Sequence, residues 1–89
     1  MDALAALRSL FIERCRKDLT ELDRLRSEAD TAAIGAIVHR LAGAAGSFGF
    51  PEISERASAI DQQLRDGHRA PEHDVDTLLE LLREIQHQT

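Results

Sequence analysis

An all-α chain folded as an antiparallel up-down-up-down four-helix bundle is what this sequence predicts, on three observations. Apolar residues recur at three- and four-residue intervals in four separate stretches, the spacing of one face of an α-helix. The breaks between the stretches carry residues that stop or start helices: Asp30, Gly49-Phe50-Pro51 and Asp66-Gly67 with Pro71. No segment shows the sustained alternation of a strand. Four amphipathic helices joined by short connections bury their apolar stripes most simply against one another.

Leu4, Leu7, Phe11, Cys15, Leu19, Leu22 and Leu25 mark the first stripe and predict a long helix over about residues 3–27. Ser27 to Asp30 interrupts it, and Asp30 or Thr31 is the expected cap of the second helix. That helix carries Ile34, Ile37, Leu41, Ala45 and Phe48 inward and ends near Gly49. Pro51 suits the first turn of a third helix, where its missing N–H costs nothing, and Ile53, Ala57, Ile60 and Leu64 form its stripe as far as Asp66-Gly67. Pro71 opens the fourth in the same way, with Val75, Leu78, Leu79, Leu82 and Ile85 facing inward.

The 89 residues suffice for one small core, so residues 1–89 are expected to form a single domain. The net charge is −5 and the basic residues are scattered, which argues against nucleic acid, since neutralising phosphates needs a clustered positive surface. Charges interrupt every apolar run, and no basic segment leads into one near Met1; a cytoplasmic, monomeric protein that neither crosses nor binds a membrane is expected. Cys15 is the single cysteine and lies on the first apolar stripe, as a small buried hydrophobe would.

The second helix holds the feature most in need of explanation. Glycine inside a helix costs roughly 1 kcal/mol relative to alanine, yet Gly35, Gly43, Gly46 and Gly49 crowd around His39. At about 100° per residue, Gly46 falls within roughly 20° of His39, Gly35 and Gly43 within roughly 40°, and Ala36 and Ala42 within roughly 60°. The bulky apolar residues lie on the opposite side. His39 is therefore expected to face water in a patch cleared of large side chains; the plainer alternative is an ordinary exposed histidine with small neighbours by chance.

His39, Leu41, Gly43 and Gly49, with Ile60-Asp61 on the next helix, resemble the signature of the histidine-containing phosphotransfer (HPt) family over roughly Phe11 to Leu64. The family commonly has lysine three places after the histidine, where this chain has Ala42. The resemblance implies a phosphocarrier without an independent catalytic site. In it, His39 takes a phosphoryl group from the aspartate of a response-regulator receiver domain, or from a sensor histidine kinase, and passes it to another receiver. It also implies that the magnesium ion and most catalytic groups belong to the receiver, so this domain needs no metal or cofactor of its own. The chemistry agrees. Neutral imidazole is a competent nucleophile near neutral pH, and transfer between two protein surfaces demands close approach, which small residues around His39 permit.

The remaining site candidates are supporting ones. Arg40, about 100° from His39, has the reach to meet the phosphoryl group or an acidic partner edge. Ser47 is a candidate support that the helix end can also occupy by local hydrogen bonding. In a tight second-to-third helix hairpin, His39 lies level with Ile60 to Gln63, which makes Asp61 and Gln63 candidates for groups behind the imidazole. Arg56 borders the docking face or is simply exposed. His68, His73 and His87 lack a metal-ligand spacing. Two other readings stand beside the carrier: a non-transferring adaptor that keeps only the docking patch, motivated by Ala42, and the phosphoacceptor helix pair of a histidine kinase, which Arg40-Leu41-Ala42-Gly43 does not fit.

Overall fold

The computed structural model describes residues 2–88. Their order is α1 (Ala3–Glu28), α2 (Thr31–Ser47), α3 (Pro51–Arg65) and α4 (Glu72–Ile85), followed by a short 3-10 turn (Gln86–Gln88). The ends form where local chemistry supplies partners for free backbone groups. Asp2 Oδ1 accepts from the Leu4 N–H at 3.0 Å to open α1, and Asp30 Oδ1 accepts from the Ala33 N–H at 3.1 Å to open α2. Pro51 stands in the first turn of α3 and Pro71 caps α4. Gly49 (φ +85°) and Gly67 (φ +84°) take the left-handed backbone that the two reversals after α2 and α3 require, a conformation that costs any other residue more.

The four helices enclose one core, with Cys15, Leu22, Val38, Leu41, Ala45, Ala57, Ile60, Leu78 and Leu82 without accessible surface at its centre. Phe11 of α1 stacks on Phe48 and Phe50, at ring-centroid separations of 5.1 and 5.7 Å, and so closes the core beneath the α2–α3 reversal. The expected stripes of α3 and α4 are buried as read, Leu64 excepted, which is half-buried.

Two expectations need correction. Leu4 and Leu7, placed on the first core stripe, are exposed, as is Leu10, and Leu19 is only half-buried. The reason is length: at about 1.5 Å per residue, the 26 residues of α1 outrun its 14- to 17-residue partners, and its first turns find little to pack against. On α2 the buried set is Ile34, Val38, Leu41 and Ala45, while Ile37 and Phe48 are half-buried. Packed between α1 and α3, α2 buries a wider arc than a single stripe, and the arc includes Val38, immediately before His39.

Candidate functional site

His39 lies in the middle of α2, and its side chain is 64% exposed. Its ring faces α3. Nδ1 is 3.3 Å from Asp61 Oδ2 and 3.0 Å from Arg65 Nη2, and Arg65 Nε donates to the same Asp61 oxygen at 3.1 Å. Asp61 and Arg65 are one turn apart on α3, so a single helical face presents an acceptor and a donor to the imidazole. An open hollow beside the ring is lined by Gly35 and Ala36 of α2 and by Leu64 of α3.

α2 makes its most extensive contact with α3, and two glycines lie beside it at positions where a methyl group would reach ordinary van der Waals contact. A methyl group on Gly35 would stand 3.6 Å from Leu64 Cδ1, and one on Gly46 would stand 3.5 Å from Ser54 Oγ. Ser54 Oγ in turn donates to the Ala42 carbonyl at 2.7 Å, tying the two helices together just past His39. Gly35 and Gly46 thus border the α2–α3 seam, and Gly35 also lines the hollow beside His39, where the helical glycines were expected to clear the surface. Gly43 meets nothing within 4 Å and faces open space.

Arg40 is committed elsewhere. Its Nη2 donates at 2.5 Å to Oδ1 of Asp18, a buried carboxylate on α1 whose neighbour Arg14 stands at 3.7 Å. The expected reach of Arg40 to a phosphoryl group gives way to a helix–helix anchor, because a carboxylate whose side chain is only 4% exposed binds the nearest cation. Arg56 is likewise paired, with Asp74 of α4 at 2.5 Å. Ser47 is exposed at the last residue of α2, and Gln63 is exposed on α3, where its carbonyl accepts from the His68 N–H. Ala42 is half-buried and Ala36 exposed. Among the described residues no group of three or more His, Cys, Asp and Glu is placed to hold a metal ion, and no helix is long and apolar enough to cross a membrane.

Arg65 escaped the sequence reading, and Leu64 was read only as part of the α3 stripe. The signal for Arg65 was present in its spacing, four residues after Asp61 on the helix level with His39, but an arginine near a helix C-terminus is ordinary on dipole grounds alone.

The family model for the Hpt domain matches residues 6–88, nearly the whole chain. No curated protein and no solved structure matches it.

Proposed function

The chain belongs to the Hpt family, whose domains are phosphotransfer carriers in two-component systems, and from that premise we propose that His39 is the phosphoacceptor, exchanging a phosphoryl group with the aspartate of response-regulator receiver domains. The observation that carries this reading is the orientation of the imidazole: Nδ1 faces Asp61 and Arg65 on α3, so Nε2 is the ring nitrogen left for a partner, and the side chain is 64% exposed.

The step balances without a metal on this side. The Nε2 lone pair forms a bond to phosphorus while the P–O bond of the receiver's acyl phosphate breaks, and the electron pair leaves on the receiver's carboxylate. The ring attacks with its proton on Nδ1 and becomes a phosphoimidazolium, and the Asp61 carboxylate, 3.3 Å away, stabilises that positive charge. Open space at Gly43 and the small side chain of Ala36 let a receiver approach until donor and acceptor touch. A sensor histidine kinase is a further donor of the same group. The carrier acts as a monomer in the cytoplasm, where receivers meet it.

The test is labelling from a phosphorylated receiver or from phosphoramidate. Wild type is expected to gain acid-labile, alkali-stable label and His39→Gln none; label that persists in His39→Gln refutes the assignment. Ala42, which offers no cation where the family commonly has lysine, favours a second reading, a docking adaptor. Receiver binding by a wild type that no donor labels would establish it.

A further inference from the structure

The two neighbours of His39 Nδ1 make opposite demands on it. Asp61 Oδ2 is a carboxylate oxygen and accepts, so its contact is a hydrogen bond only when Nδ1 carries the ring proton. Arg65 Nη2 can only donate, so its contact is a hydrogen bond only when Nδ1 is bare. Neutral imidazole has one proton for two nitrogens. If Arg65 holds Nδ1, the proton sits on Nε2 and the outward nitrogen has no lone pair to offer. If Asp61 holds it, the proton sits on Nδ1 and Nε2 is the nucleophile.

Resting on the reading of His39 as acceptor, we propose that Arg65 is a gate on this choice. Its guanidinium holds the resting imidazole in the unreactive Nε2–H form, and an arriving phosphoryl group draws it away and releases Nδ1 to Asp61. Arg65 is built to move between the two. Its side chain is 58% exposed, and its Nε stays bonded to Asp61 at 3.1 Å, a pivot about which Nη2 swings. A charged phosphoryl oxygen is a stronger acceptor for guanidinium than a neutral ring nitrogen, so the incoming group wins the competition. The proton moves from Nε2 to Nδ1 through solvent, to which the exposed ring is open. Position 42 offers only a methyl group, and Arg40 is held by Asp18, so the cation beside the imidazole comes from α3. Arg65 is in this sense a positioning residue: it sets which nitrogen is nucleophilic and moves onto the phosphoryl group only as that group arrives.

Long-range proton–nitrogen spectra of ¹⁵N-histidine-labelled protein read the tautomer directly, at a pH where the same spectra show the His39 ring neutral. Wild-type His39 is expected mainly as Nε2–H. Arg65→Met should raise the Nδ1–H to Nε2–H ratio about fivefold, the weight of one exposed charge-assisted bond. Arg65→Lys, which keeps a donor cation, should stay near wild type, and Asp61→Asn should not gain Nδ1–H. Inorganic phosphate, set against chloride at equal ionic strength, should move wild type toward Nδ1–H and leave Arg65→Met unchanged. A ratio identical in wild type and Arg65→Met overturns the gate, as does a wild type already mainly Nδ1–H. Phosphoramidate labelling of the same samples separates the two readings: label on wild type lost in His39→Gln with an unmoved tautomer ratio defeats only the gate, whereas label elsewhere defeats the acceptor assignment.

Discussion

Asp18 shows how much one buried carboxylate can decide. Its side chain is 4% exposed, Oδ1 receives Arg40 at 2.5 Å, and Oδ2 is buried without a hydrogen-bond partner among the described residues. Removing the cation leaves a charge in the core, so Arg40→Ala should cost about 2 kcal/mol. That is less than a fully buried pair because Arg40 is partly exposed and Arg14 stands near. Urea denaturation checks this; a midpoint unchanged from wild type would mean that Arg14 takes over. The same pocket governs Cys15, one turn earlier. Burial first, and then the charge of Asp18, push its thiol up from 9.0 to about 12, with Arg40 opposing. A neutral thiol in the core is unreactive, so a thiol reagent at pH 8 should modify Cys15 only as fast as the protein opens. Because the folded value is the higher one, this contribution to stability is fully present below pH 9 and is lost as pH rises toward 12.

At the scale of elements, α2 has two kinds of glycine, and substitution separates them. Gly43 faces open space, so Gly43→Ala should stabilise α2 by about 0.5–1 kcal/mol. Gly43→Leu should remain folded while slowing transfer to a receiver, since the added side chain stands in the open space through which we propose the receiver approaches. Gly46→Leu acts differently. It drives a side chain toward Ser54, disturbs the bond from Ser54 to the Ala42 carbonyl, and should lower the thermal midpoint. Circular dichroism melts beside transfer rates distinguish the two; equal losses of stability in both leucine variants would show that α2 is rotated from this account.

Over the whole molecule, the long axis of 44 Å belongs to α1, whose first turns extend past the core. Arg8 spans the margin, its guanidinium 4.7 Å above the Phe50 ring and bonded to Gln88 at 3.3 Å. Leu4, Leu7 and Leu10 are exposed there, so replacing all three by glutamine should change folding stability by no more than about 1 kcal/mol. Leu22→Ala, at a site with no accessible surface, should cost about 2–5 kcal/mol. Denaturation of the two proteins side by side measures the contrast, and a large loss in the triple variant would mean that the leucines belong to the folding unit.

Periodicity and punctuation sufficed for the four helices, because an apolar stripe and a capping or left-handed residue act within a few positions of where they stand: Asp30, Gly49, Pro51 and Gly67 are legible one by one. The same local rules placed His39 on an open face, and the short reversal between α2 and α3 brought Asp61 to its level. Which charges meet between helices was otherwise not legible. Whether Leu4 is core depends on how far the other helices reach, and whether Arg40 meets a phosphoryl group depends on a carboxylate 22 residues away on another helix. Arg65 meets His39 across 26 residues, and only the close approach of α2 and α3 puts it on the same nitrogen as Asp61. Sequence determines which faces a helix must bury, since burial is written in the spacing of its own residues. The tertiary structure decides which charges meet, because long side chains reach several ångströms in any direction and pair with whatever the packing of other helices brings within range.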